Sequence, residues 1–178
     1  NSCHGVWSVG FLLAALLGTL ARGIALPPAV HLAAVVPFAL AFAFAFGLPM
    51  QPAPPRPHAG GPAKRVAWPT RMTLLLLGYM LASIFIENAS RAWSVIFMRD
   101  TFSAPAWVDT LTLPAYLATM SIGRLLADRV VVRLGPVWVA QGAGVLALAG
   151  LVMVALAPDV SWALAGFALA GLGICVNF

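Results

Sequence analysis

Charged residues are scarce in this sequence. Asp, Glu, Lys and Arg together make up 8% of the 178 residues, whereas about 25% is usual in a soluble domain. Hydrophobic residues make up 62%, and a soluble protein of this length has too much surface for its volume to bury so many of them. Lipid removes that constraint, because apolar side chains can then face outward. The composition therefore excludes an ordinary soluble domain.

Residues suited to covalent chemistry or metal binding are also few and scattered. The two cysteines, Cys3 and Cys175, lie alone in apolar segments and are expected to act as small hydrophobic residues. We find no set of His, Asp or Glu at the spacing that a metal site or an acid–base pair needs, and no phosphate-binding loop pattern. The sequence thus predicts no catalytic residue, no metal and no cofactor. An integral membrane enzyme is the least favoured alternative.

The net charge of +5 does not indicate a nucleic-acid partner. Most basic residues lie in two short segments, 49–71 and 124–136, rather than in a patch with interleaved aromatic residues. Concentration of Lys and Arg in short connections is the distribution that the positive-inside rule describes for membrane proteins. These two segments are therefore predicted to lie on the cytoplasmic side.

Long apolar segments are abundant. A helix needs about 20 mainly apolar residues to cross the hydrocarbon core, and only helices or closed barrels satisfy their backbone hydrogen bonds there. The segments are too long and too uniformly apolar for barrel strands. We therefore predict an all-α, polytopic transmembrane helical bundle in a lipid bilayer. Its six predicted spans cover residues 4–24, 28–48, 72–95, 109–127, 137–157 and 161–178.

One charged segment is the most informative motif. It places Asp128 among Arg124, Arg129 and Arg133, between Gly123 and Gly135, at the predicted cytoplasmic end of the fourth span. An acidic group there can pair with arginines and with the positive N-terminus of a neighbouring helix, which would hold two groups of helices together. The alternative is an ordinary basic loop that contains one isolated Asp.

This segment resembles the loop signature of the major facilitator superfamily of secondary transporters. That signature has a Gly, an acidic–basic pair, further basic residues and a Gly before the next helix. Asp128 follows Gly123 by five residues rather than four, and Gly135 comes late, which suits the looser copy between helices eight and nine of that family. The resemblance implies a cytoplasmic gating role for Gly123, Arg124, Asp128, Arg129, Arg133 and Gly135.

Two further segments resemble a bacterial inner-membrane subgroup of the same superfamily. They are HGVWSVG at 4–10 and ENASRAWSVIFMRD at 87–100. The subgroup commonly has an acidic residue directly before the Trp of the second segment, where this chain has Ala92. Both ends of the sequence fall in apolar segments, so we expect a part of a longer protein.

The resemblance implies a partial major facilitator fold with helices five to ten of twelve. Residues 1–48 would be the last two helices of the first half, 49–71 the central cytoplasmic linker, and 72–178 the first four helices of the second half. It also implies a multi-pass protein of the bacterial inner membrane that is monomeric when complete.

Four residues are candidates for binding a substrate or a coupling proton: Glu87, Asn88, Arg91 and His4. Ionisable groups within a membrane span are costly and usually face a cavity or a partner. The spacing of Glu87 and Arg91 favours an ion pair within one helix, so a pair without a role in transport is the alternative. His4 is alternatively a boundary residue.

The function predicted from the sequence is a secondary active transporter that moves a small solute across the cytoplasmic membrane by alternating access, with protons as a candidate coupling ion. A sensor or scaffold that keeps a transporter-like fold without moving a solute is the main alternative. The solute and the direction of coupling are not encoded in any motif that we recognise.

Overall fold

The computed structural model describes residues 2–47 and 68–176, apart from the side chains of residues 2–4. The predicted linker at 49–71 therefore lies mostly outside the described residues. All regular structure in the described part is helical, which confirms the predicted all-α class. The helices are α1 Ser2–Gly23, α2 Pro28–Gly47, α3 Arg71–Phe102, α4 Ala106–Asp109, α5 Thr112–Leu134, α6 Pro136–Ala155 and α7 Val160–Ile174.

Four of the described helices are long and apolar enough to cross a membrane: Gly5–Gly23 within α1, Pro28–Gly47, Arg71–Phe102 and Pro136–Ala155. The sequence predicted six spans, and the fourth and sixth do not meet this criterion. Helix α5 has 23 residues, but four charged residues lie in its second half. Helix α7 has 15 described residues, fewer than the roughly 17 that a span requires. The helices nevertheless make this a multi-pass helical membrane protein.

The connection between α5 and α6 is shorter than the predicted basic segment 124–136. Helix α5 continues to Leu134, and Pro136 already begins α6. Gly135 alone separates them with φ of +84°, a conformation that glycine adopts without the steric cost of a Cβ. Proline at the first position of α6 fits because that position needs no backbone N–H donor. Arg124, Asp128, Arg129 and Arg133 are therefore helical residues and not loop residues.

Helix α3 also extends beyond its predicted end at residue 95 and reaches Phe102. Residues 96–108, between the third and fourth predicted spans, are thus mostly helical and include the start of the short helix α4. Arg99 and Asp100 form an exposed ion pair at 2.7 Å in the last turns of α3. Charged residues in these turns fit a helix that projects past the hydrocarbon.

The chain divides into two compact units, residues 26–78 and the remainder. The smaller unit contains α2, in which no residue is buried. An apolar helix of this kind is stable where lipid surrounds it. The larger unit contains α1, most of α3, and α4 to α7, and the core lies within it.

Helix α7 packs against α5 and α6, and α1 packs against α5. Close approach of α6 and α7 depends on small residues, because little hydrophobic force drives helices together in lipid. A Cβ at Gly166 would lie 2.9 Å from the carbonyl oxygen of Gly150, so the two backbones meet directly at this crossing. The buried hydrophobic core consists of Met98, Tyr116, Leu117, Met120, Ala163, Phe167, Ala170 and Cys175.

The start of α7 has a side-chain cap. The Asp159 carboxylate accepts a hydrogen bond from the Trp162 backbone N–H at 2.9 Å, which satisfies one of the free donors of the first turn.

We expect Asp159→Ala to lower the free energy of unfolding by about 1 kcal/mol, measured by denaturant titration in detergent. Asp159→Asn is the matched control, because Asn caps equally well; equal losses in both variants would contradict the capping role.

Candidate functional site

The predicted ion pair on α3 is present. The Arg91 Nη1 atom lies 3.0 Å from Glu87 Oε1, one helical turn apart. Both side chains are largely shielded, with exposed fractions of 13% for Glu87 and 23% for Arg91. The sequence placed both residues within a predicted span, where a charge needs a partner. Glu87 and Arg91 therefore compensate each other's charge.

A second arginine reaches the same carboxylate from α5. The Arg124 Nη2 atom lies 3.8 Å from Glu87 Oε2, and Arg124 Nη1 donates a hydrogen bond to Ser8 Oγ of α1. Arg124 is only 3% exposed. We call Glu87, Arg91 and Arg124 the charged cluster; it brings together helices α1, α3 and α5 in the larger unit.

The position of Arg124 differs from the sequence interpretation. The motif resemblance grouped Arg124 with Asp128, Arg129 and Arg133 as a cytoplasmic gating element, whereas Arg124 is buried near the middle of α5 and points to Glu87. The gating role of the motif stays a prediction. Sequence spacing does not reveal the contact, because Glu87 and Arg124 are far apart in the sequence, on two different helices, and only the packing of α3 beside α5 brings them together.

Two aromatic rings of α1 lie against the arginines. Trp7 and Phe11 are one turn apart and stacked, with ring centroids 5.7 Å apart. The Arg91 guanidinium carbon lies 4.1 Å from the Phe11 centroid, and that of Arg124 lies 5.8 Å from the Trp7 centroid. A cation above an aromatic face is attracted by the ring quadrupole, and more so where water is excluded. No pattern in the sequence indicated this contact of Trp7.

Tyr116 of α5 completes the surroundings of the charged cluster. It is 1% exposed and interacts electrostatically with Glu87, Arg91 and Arg124. Its hydroxyl has no hydrogen-bond partner among the residues that the structure describes. A buried hydroxyl without a partner is costly, so it is a natural position for a bound polar group. No motif in the sequence indicated a role for this tyrosine.

Two other predicted candidates do not join the cluster in the described structure. The Asn88 side-chain amide donates to the Ile84 carbonyl oxygen of its own helix at 2.8 Å, which satisfies one of its two donors locally. The side chain of His4 lies outside the described residues. Their predicted binding roles remain predictions.

The other residues of the predicted gating motif lie along α5 and at its end. A Cβ at Gly123 would overlap the side chain of Cys175, the residue that follows α7, so this glycine permits close contact between α5 and the end of α7. Asp128, Arg129 and Arg133 are exposed in the second half of α5. This arrangement places them at the end of the helix that leads to Gly135, where the resemblance expects the cytoplasmic surface.

The side chains of the charged cluster can form ion pairs and hydrogen bonds. Within residues 2–47 and 68–176, no group of three or more His, Cys, Asp or Glu is placed to hold a metal ion. A carboxylate, two guanidinium groups and a phenol can bind a charged solute, exchange a proton and orient an aromatic or apolar group against Trp7 and Phe11.

Comparison with known proteins gives one weak similarity. The chain is 29% identical over 174 residues to a protein of Sinorhizobium fredii (strain NBRC 101917 / NGR234) that is named an uncharacterized transporter. No family model matches the chain, and no solved structure matches it. The similarity covers 97% of this chain and 46% of the relative, so the chain spans just under half the length of that protein.

Proposed function

We propose that this chain is part of a secondary active transporter that moves a small solute across a membrane by alternating access. The observation that carries the proposal is the charged cluster. Three ionisable side chains from two helices meet inside an apolar helical bundle, where unpaired charges are too costly to persist without a function or a partner. The similarity to a protein named a transporter supports the same conclusion.

Contacts between α1 and α5 support the rocking part of this mechanism. In the predicted organisation, α1 belongs to the first half and α5 to the second, on opposite sides of the linker at 49–71. Arg124 donates a hydrogen bond to Ser8 of α1, and the Thr19 hydroxyl of α1 donates to the carbonyl oxygen of Thr110, two residues before α5, at 3.2 Å. Polar contacts of this kind can break and reform without separating a large apolar surface, as a rocking motion requires.

Glu87 is the candidate for coupling. In its ionised form it holds Arg91 directly and attracts Arg124. Protonation would remove the attraction and release both arginines for other anionic groups. A proton and a solute would then bind in a linked manner, which is the requirement for transport driven by a proton gradient.

The remaining expectations belong to the same proposal. They are the inner membrane of a bacterium, the two-half organisation with helices five to ten of a major facilitator fold, the gating role of the Gly123–Gly135 segment, and a monomeric complete protein. The alternative is a sensor or scaffold that binds a solute without moving it.

An untargeted transport assay tests the proposal. The intact protein is reconstituted in liposomes, the liposomes are incubated in a bacterial metabolite extract with an inward proton gradient, and their contents are analysed by mass spectrometry. We expect at least one solute to be enriched about tenfold over empty liposomes, and we expect Glu87→Gln to lose most of this enrichment because it cannot ionise.

Arg99→Gln is the matched control, because Arg99 is an exposed residue of the same helix outside the charged cluster. It should transport as the unmodified protein does. If correctly inserted, folded protein enriches no solute, the sensor or scaffold alternative holds. Unchanged uptake by Glu87→Gln would remove Glu87 from the mechanism.

A further inference from the structure

The charged cluster carries more positive than negative charge. It contains two arginines and one carboxylate, and the groups that act on it electrostatically include Tyr116 on α5 and Cys175 after α7. Both are neutral in their ordinary protonated forms. With Glu87 ionised the cluster has a net charge of +1, and with Glu87 protonated it has a net charge of +2. An excess positive charge in apolar surroundings is compensated best by an anion.

We infer that the charged cluster binds the carboxylate of a small organic monoanion that also carries an apolar group. This inference rests on the proposed function and gives its substrate class. Arginine is suited to the task because its planar guanidinium group can donate two parallel hydrogen bonds to a carboxylate. Two arginines from different helices converge here on one existing carboxylate, that of Glu87.

The two distances to Glu87 indicate which arginine takes the solute carboxylate. Glu87 is hydrogen-bonded to Arg91 at 3.0 Å, whereas its distance to Arg124 is 3.8 Å, which exceeds hydrogen-bonding range. Glu87 thus holds Arg91 tightly and Arg124 loosely. The solute carboxylate binds on the Arg124 side, and the Tyr116 hydroxyl, which lacks a partner within the described residues, donates to it.

The stacked rings of Trp7 and Phe11 are the reason for assigning an apolar group to the solute. Trp7 is 52% exposed, although it lies beside two arginines. The exposed part of Trp7, with the ring of Phe11 stacked on it, offers an apolar surface next to the cationic groups. A carboxylate with an attached ring or short alkyl chain matches both parts, while an inorganic anion matches the arginines alone.

Binding by the intact protein in detergent tests the inference separately from transport. The probes are benzoate, benzyl alcohol and benzylamine, which share a ring and differ in charge. We expect benzoate to raise the melting temperature in a saturable manner and to change tryptophan fluorescence, and we expect no such effect from the alcohol or the amine. Stabilisation by benzylamine instead of benzoate would overturn the inference.

Tyr116→Phe is the decisive variant, because it removes one hydroxyl and keeps the buried ring. Its folding should not suffer, since that hydroxyl makes no hydrogen bond with the described residues. Loss of one hydrogen bond to a carboxylate should weaken benzoate binding about tenfold. Arg124→Gln should abolish binding and Arg99→Gln should leave it unchanged; full benzoate affinity in both Tyr116→Phe and Arg124→Gln would contradict the site.

The two proposals can fail independently. Saturable benzoate binding without uptake into liposomes would retain the anion site and reject the transporter. Proton-driven uptake of neutral or cationic solutes alone, without benzoate binding, would retain the transporter and reject the anion site.

Discussion

Gly171→Ala is expected to destabilise the bundle by about 3 kcal/mol, the upper end of the usual cost of overpacking. A Cβ at this position would overlap the Tyr116 carbonyl oxygen and would lie 2.7 Å from the Thr119 hydroxyl. The first of these atoms belongs to the backbone of α5, so no rotamer change can make room. The two helices must separate, and the hydrogen bond from Thr119 to the Ala168 carbonyl oxygen at 2.6 Å would lengthen or break.

Gly144→Ala is the matched control for this effect. A Cβ on Gly144 would meet nothing within 4 Å, and alanine is a better helix former than glycine. Unfolding in detergent should show this variant to be as stable as the unmodified protein or slightly more stable. If Gly171→Ala and Gly144→Ala had the same stability, the close crossing of α5 and α7 would be wrong.

The second large effect concerns the ion pair between helices. We expect Glu87→Gln and Arg124→Gln each to lower the free energy of unfolding by about 3 kcal/mol, because each leaves the remaining charge poorly compensated in a shielded site. The double variant should lose less than the sum of the two, with a coupling energy of about 1 kcal/mol or more. The measurement is a double-mutant cycle from unfolding titrations in detergent.

The exposed pair Arg99–Asp100 serves as the reference for that cycle. Its atoms are closer, at 2.7 Å against 3.8 Å, but its side chains are 61% and 59% exposed. Exposed pairs are screened by solvent and contribute little, so Arg99→Gln should cause no measurable change. Additive losses for Glu87 and Arg124 would show that the two residues do not interact, and the charged cluster as described would have to be abandoned.

Much of the fold was predictable, because lipid imposes a simple condition on sequence. Apolar segments of sufficient length must be helical, since no other open structure satisfies its backbone hydrogen bonds in hydrocarbon. The predicted segments 4–24, 28–48 and 137–157 therefore match α1, α2 and α6 within about two residues at each end. The ion pair of Glu87 and Arg91 was predictable for a similar reason, since residues four apart in a helix are neighbours.

Helix ends were predicted less well where charge was taken as the sign of a loop. Helices α3 and α5 continue through charged residues, because a helix can project from the membrane and keep its hydrogen bonds while its side chains meet water. The end of α5 depends instead on Gly135, whose positive φ breaks the helix immediately before Pro136. A glycine followed by a proline was a better indicator of this boundary than the distribution of arginines.

The sequence by itself determined that the chain is a bundle of apolar helices, and it determined the contacts between residues one turn apart, because both follow from helical geometry and from the cost of free backbone groups in lipid. Only the tertiary structure decided that Arg124 and Tyr116 of α5 join Glu87 and Arg91 of α3 beneath Trp7 and Phe11 of α1. The reason is physical: which faces of these helices meet depends on close contacts between helices, such as those at Gly123 and Gly171, and spacing along one chain contains no information about the rotation of one helix relative to another.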